Sequence, residues 1–250
     1  MSWPRRSSAE PVAAPATLRV GGLTPFTSID FPGQLAAVVF VQGCPWRCGY
    51  CHNPHLQPRR VPAGAAPDWP QVVEWLGRRL GLIDAVVFSG GEPTMDPGLE
   101  RALRDARALG LLTGLHTAGM YPRRFERALP HLDWVGFDVK APLARADLLG
   151  RVTGVRTDAD AVARSLRALL ESGVAHECRT TAHPALLSDE DLVALASDLA
   201  ARGVRRHVVQ VARPAAAARA PLESVAADYP SAATLHTMRS LFADFSVRRG

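Results

Sequence analysis

Lysine is nearly absent from this sequence: of 29 Lys and Arg residues, Lys140 alone is a lysine. Cysteine is also scarce, at four in 250 residues, which excludes the disulfide framework that holds small loop-rich secreted folds together. Aromatic residues make up 6%, and none interleaves the scattered arginine pairs, from Arg5 and Arg6 to Arg248 and Arg249, as a base-stacking surface requires. The formal charge of +5 therefore reads as solvated helix faces. Long apolar runs are missing too. The longest near the cysteines, LAAVVFV at residues 35–41, falls far short of the roughly 20 residues of a membrane span. Residues 1–16 carry two arginines and no apolar stretch of signal-peptide length. From these absences we expect a soluble cytoplasmic protein with no nucleic-acid or membrane partner, a flexible tail over residues 1–16 and a single domain over 17–250.

What is present is ordinary globular material, 47% hydrophobic and 21% charged, in a chain long enough to bury roughly 75% of its unfolded surface without crosslinks. Short β-branched runs alternate with segments of helical periodicity. Strands are expected at LAAVVFV, AVVFSGG, LLTGLHT, DWVGFDVK, HECRTT and RHVVQVA. Helices are expected between them, the first capped by Asp68, and a closing helix over AATLHTMRSLFADF. Six strand–helix units with buried strands imply a parallel α/β sheet, as a partial (β/α)6 barrel or an open doubly wound sheet. Either places the site at the C-terminal ends of the strands. The polar and glycine-rich segments collect there.

Three of the four cysteines fall in GCPWRCGYCHNP, at Cys44, Cys48 and Cys51, with the spacing C-x3-C-x2-C. Three thiolates can hold three irons of a [4Fe–4S] cubane and leave the fourth iron free to bind a small molecule. Other readings stay open from the residues alone. CGYCH matches covalent haem attachment, chemistry of exported proteins. Three cysteines and His52 could hold zinc, although adjacent Cys51 and His52 would both have to turn to one metal. Simple buried thiols are a further reading, as Cys178 is expected to be.

The C-x3-C-x2-C spacing with Tyr50 before the last cysteine resembles the radical S-adenosylmethionine (SAM) superfamily. The stretch TSIDFPGQLAAVVFVQGCPWRC and YCHNP resemble, more narrowly, activating proteins of anaerobic ribonucleoside-triphosphate reductase, relatives of the pyruvate formate-lyase activase. The resemblance covers roughly residues 22 to 213. It implies a radical SAM barrel, a [4Fe–4S] cluster on Cys44, Cys48 and Cys51, and SAM on the open iron, with Tyr50 and His52 beside the cofactor. It implies a glycyl-radical enzyme, an anaerobic ribonucleotide reductase, as protein substrate, and a flavodoxin or ferredoxin as electron donor.

Further segments match the family's pattern. SGGEP resembles its GGE element. Gly90 and Gly91 would let backbone approach the ligand, and Glu92 would accept from the SAM amino group. Asp138, Val139 and Lys140 match its D-x-K element, where the lysine can pair with the SAM carboxylate. Asp138 and Lys140 share a strand face. LHTAG departs from the pattern: relatives read DTNG, whose aspartate helps to hold a monovalent cation near that carboxylate, and here His116 and Ala118 stand instead. His116 and Thr117 are expected at the cofactor, as is His183 after strand five; Gln210 and Arg213 lie on the same rim. Two alternatives accompany the activase reading: a small-molecule radical SAM enzyme of the 7-carboxy-7-deazaguanine synthase type, and a non-enzymatic iron–sulfur electron carrier.

Overall fold

The computed structural model describes residues 17–60, 66–214 and 222–249; the expected tail over residues 1–16 lies outside the described residues. In chain order the strands are β1 (Val20–Thr27), β2 (Ala36–Val41), β3 (Ala85–Gly90), β4 (Leu112–Thr117), β5 (Trp134–Asp138), β6 (Ala175–Ala182), β7 (Arg206–Val211) and β8 (Asp244–Arg249). The helices are α1 (Trp69–Gly77), α2 (Leu99–Ala108), α3 (Pro122–Ala128), α4 (Ala146–Thr153), α5 (Ala159–Ser172), α6 (Asp189–Ala201) and α7 (Ala232–Leu241). Local chemistry starts several of them. Asp68 and Gln71 form a reciprocal capping box on α1, and Ser188 and Asp191 form one on α6.

All the strands join one sheet in sequence order, β1 to β8. Every neighbouring pair from β2 to β8 is parallel, and β1 runs antiparallel to β2. The order never reverses, so there is no switch point and the sheet curls one way as in a barrel. Because β8 does not pair with β1 among the described residues, the wall stays open on one side. This is the expected partial barrel, with its six predicted strands at β2 to β7.

Two strands and one helix go beyond the sequence reading. β1 contains two glycines and a proline and pairs through two register irregularities. Its Gly21 is a packing requirement, since a Cβ there would lie 2.5 Å from the Leu56 side chain and 2.6 Å from that of Gln42. The closing helix ends at Leu241, short of the expected reach to residue 245, and the chain turns into β8 along β7. α4 had no counterpart.

The sheet's two faces differ. Val39, Phe88, Leu115 and Phe137 pack under the helices against residues such as Leu103, Leu166 and Leu195. The opposite, inner face carries a smaller apolar cluster that includes Ala36, Val38, Val87 and Trp134. Further round, the inner face is charged. Glu177 on β6 is fully buried, accepts two bonds from Arg248 at 2.9 and 3.0 Å and lies 3.3 Å from Arg206.

Candidate active site

The loop after β2 carries the cysteines, and backbone bonds fold it back on itself. Gly43 N–H donates to Leu56 O, Cys44 N–H to Gln57 O and Cys51 N–H to Cys48 O. Its outer side docks on the end of α4 and the segment after it: Arg47 N–H donates to Thr153 O at 2.7 Å, and the Trp46 indole N–H to Thr157 Oγ1 at 2.8 Å. The Arg47 guanidinium holds the Cys44 and Trp46 carbonyls from outside. All three thiols then face one cavity of about 540 Å³ at the C-terminal rim of the strands. Burial pushes the Cys44 thiol up to about 12 and also raises Cys48, so neither is a thiolate at neutral pH without an electrophilic partner.

The loop after β3 is bonded to the cysteine loop. Gly91 N–H donates to Val41 O and Glu92 N–H to Gly43 O, both at 2.9 Å. Gly90 and Gly91 line the cavity, but the need for glycine comes from β2 and the loop that follows it. A Cβ at Gly90, where φ is +112°, would lie 2.6 Å from Val41 N, and one at Gly91 would lie 2.3 Å from Gly43 O. The close approach expected toward a ligand is first an approach between two loops.

Glu92 is buried, and its carboxylate ties the β3 and β4 ends together. It accepts from Thr94 N at 3.0 Å, from the Thr94 and Thr117 hydroxyls, and from Ala118 N at 2.9 Å. Burial raises its pKa in spite of these donors. Thr117 thus spends its hydroxyl on Glu92 and accepts from Gly119 N. His116 lies edge-on to Trp134. Its Nε2–H donates to Asp30 O at 2.8 Å, while Nδ1 sits 3.4 Å from Ser89 Oγ. Burial, aided by Arg179, lowers its pKa to about 3, and the ring is neutral.

Asp138 ends β5 and faces two cations, Lys140 Nζ at 3.3 Å and Arg179 Nε at 3.4 Å. Burial would raise its carboxyl, yet Lys140 and Arg179 together outweigh burial and hold it below the usual range. Burial likewise opposes the Lys140 charge, but Asp138, the neighbour that is anionic at neutral pH, keeps the ammonium protonated and its pKa above the usual range. That ammonium lies 5.5 Å from the Tyr50 ring centroid and 5.9 Å from that of Trp46. The Tyr50 hydroxyl has no hydrogen-bond partner among the described residues.

The structure therefore brings Cys44, Cys48, Tyr50, Cys51 and His52 together with Gly90, Gly91, Glu92, His116, Thr117, Asp138 and Lys140 around one cavity. Two expectations are corrected. His183 does not line the cavity: Nε2 donates to Glu223 O at 3.0 Å and Nδ1 accepts from Ala185 N at 3.1 Å, so the ring pins its own loop. Val139 is in the helix-side core, with its carbonyl bonded to Thr180 Oγ1. Gln210 and Arg213 do line the rim. Sequence reasoning missed Arg179 and Arg248, which also line it. The available signal was a Glu and an Arg two apart inside HECRTT, because a strand buried on both faces ordinarily reads as apolar throughout.

Among the described residues no three His, Cys, Asp or Glu side chains converge closely enough to hold a single metal ion. A cubane needs no such convergence, since each thiolate binds a different iron, and a set of three thiols with no fourth fits it. Parallel strands that stop short of closure and deliver one loop's thiols to a rim cavity define the class, an α/β partial barrel with a cysteine-bearing cofactor loop. The sequence of that barrel matches the Radical SAM superfamily over residues 38–199, and the chain belongs to it. Its members are enzymes that use a [4Fe–4S] cluster and SAM.

Over 181 residues the chain is 29% identical to a Methanocaldococcus jannaschii protein described as a glycyl-radical enzyme activating enzyme, covering 69% of this chain and 72% of that one. It is 33% identical over 127 residues to the pyruvate formate-lyase-activating enzyme of Clostridium pasteurianum, a match that takes 49% of this chain and 52% of that enzyme. The chain thus spans about half the length of that second relative. The fold resembles that of Streptococcus suis SuiB bound to the precursor peptide SuiA, with a TM-score of 0.61 at 15% identity, over 84% of this chain and 48% of that one. No helix among the described residues is long and apolar enough to cross a membrane.

Proposed function

We propose that this chain is a glycyl-radical activase that acts on a partner enzyme, and that the partner is an anaerobic ribonucleoside-triphosphate reductase. The observation that carries the activase reading is the cavity: three thiols and the lone lysine meet in a pocket whose wall is open between β1 and β8. An open wall suits a polypeptide loop as substrate. The relatives named above support the same reading. The choice of reductase rests on TSIDFPGQ and YCHNP in the sequence.

When bound, the cluster and SAM supply one-electron reductive cleavage to methionine and a 5′-deoxyadenosyl radical, which takes a hydrogen atom from a glycine α-carbon of the partner. Cys44, Cys48 and Cys51 would hold the cluster. Tyr50 and His52 follow the loop to the side of the cavity where the nucleotide would lie. Lys140 would neutralise the SAM carboxylate, and Asp138 orients Lys140. Glu92, its carboxylate committed to four donors, ties together the two loops that would frame the cofactor. An electron donor of the flavodoxin or ferredoxin type would reduce the cluster.

The test is anaerobic reconstitution followed by incubation with SAM, reductant and the reductase. We expect 5′-deoxyadenosine, methionine and a glycyl-radical doublet by electron paramagnetic resonance. Lys140→Ala should weaken SAM binding. SAM cleavage without the doublet on a folded partner would overturn the activase reading in favour of a small-molecule substrate, and no cleavage at all would favour an electron carrier.

A further inference from the structure

Arg179 is buried in the inner face of the barrel, yet among the described residues its guanidinium makes no hydrogen bond. It lies over Trp134, with Cζ 5.6 Å from the ring centroid, and it lines the cavity. The room is made by Gly136, where a Cβ would stand 1.8 Å from Nη2 of Arg179. Its anionic neighbour is Asp138, with Nε to Oδ1 at 3.4 Å, and Lys140 claims the other oxygen at 3.3 Å.

One carboxylate thus faces two cations, Arg179 buried and Lys140 partly buried. The other carboxylates nearby are taken: Glu177 by Arg248 and Arg206, Glu92 by its four donors. His116, where the resembled family has an aspartate, provides no anionic oxygen, and its Nε2–H is spent on Asp30 O. An excess positive charge with a planar fork of free donors, partly removed from water, costs several kcal/mol unless an anion completes it.

We propose that Arg179 and Lys140 together seat a carboxylate, that of the methionyl end of SAM, and that the fixed guanidinium makes an alkali metal ion unnecessary there. This rests on the reading of the chain as a SAM enzyme. Arg179 is the half of this seat that no sequence motif marks. The alternative source of the same chemistry, an acidic side chain of the protein substrate, is separated by binding measurements made without the partner.

The experiment uses anaerobically loaded protein and equilibrium binding of SAM and of decarboxylated SAM, in alkali-ion buffers and in tetramethylammonium buffers. Loss of a charged hydrogen-bonding pair predicts that Arg179→Gln binds SAM about 10–100-fold more weakly, with Arg179→Lys in between. Decarboxylated SAM should bind Arg179→Gln and wild type alike, and wild-type affinity should not change when alkali ions are withdrawn. The proposal fails if Arg179→Gln weakens both ligands equally, the mark of a structural role. It fails if SAM binding is unchanged, which would give the arginine to the polypeptide, or if wild-type affinity needs an alkali ion. Should Arg179→Gln not fold, Arg179→Met, which keeps an unbranched side chain over Trp134 and removes the donors, must give the same ligand pattern. A cluster-loaded wild type that binds no SAM would sink the functional reading as well, whereas normal wild-type binding with an indifferent variant sinks only this inference.

Discussion

Gly136→Ala adds one methyl group to β5, and its effect should depend on what stands at position 179. The new Cβ would lie 1.8 Å from Nη2, 2.3 Å from Cζ and 2.9 Å from Nε of Arg179, so the guanidinium must leave its place over Trp134. Removing one partner of a buried ion pair costs about 3–5 kcal/mol. Here Asp138 keeps Lys140 and the displaced arginine can swing into the cavity, so we expect about 2 kcal/mol, or a Tm lower by about 4–8 °C for a chain of this size. With Arg179→Ala already in place the obstacle is gone, and alanine in a strand is favoured over glycine by about 0.5–1 kcal/mol. The same substitution should then be neutral or stabilising, a coupling of about 2.5 kcal/mol in a double-mutant cycle. Urea unfolding of the four full-length proteins measures it. Equal destabilisation by Gly136→Ala in both backgrounds would refute the packing argument.

Glu92→Gln should lower stability by about 2–3 kcal/mol, because an amide N–H would face the Ala118 N–H and the remaining bonds lose charge assistance; a change in urea midpoint near zero would count against Glu92 as the tie between loops. His207, fully buried beside Phe242, is lowered by burial from 6.5 to about 4, so the unfolded chain binds the extra proton and stability falls as pH drops below about 6.5. Between about pH 7.5 and pH 5.5 wild type should lose about 1.3 kcal/mol more than His207→Phe, and parallel pH profiles would contradict this. Serine at Cys44, Cys48 or Cys51 should each prevent loading of about four irons per chain, while Cys178→Ala, in the core, should load normally; iron and sulfide titration decides.

Most central strands were legible because they are covered on both sides and so read as short apolar runs between turn residues, whereas β6, with Glu177 and Arg179, departs from that pattern. β1 and β8 were not, for the same physical reason reversed. An edge strand with one partner can carry Gly21, Gly22 and Pro25, or Arg248 and Arg249, without the pattern that marks a buried one. In the site, the cysteines, Glu92, Asp138 and Lys140 were legible as positions, but their partners were not. Glu92 looked like a ligand acceptor because two of its four donors, Thr117 Oγ1 and Ala118 N, come from another strand end. His183 was inferred only from its place after a strand, and place on a rim does not fix where a ring points.

The charged inner face and the missing closure are two aspects of one design constraint. A fully closed barrel of this kind fills its centre with layers of branched apolar side chains, and there Glu177, Arg179, Arg206 and Arg248 would be too costly to desolvate. In this chain the apolar inner cluster lies chiefly on β2, β3 and β5, while the charges sit on β6 to β8, next to the side where the sheet ends. Arg206 and Arg248 are each about 40% exposed there and can balance Glu177 at moderate cost. Arg179, deeper in, has a side chain only 8% exposed and meets water through the cavity alone. It is the charge least hydrated from the open edge, and so the one most sensitive to what enters the cavity.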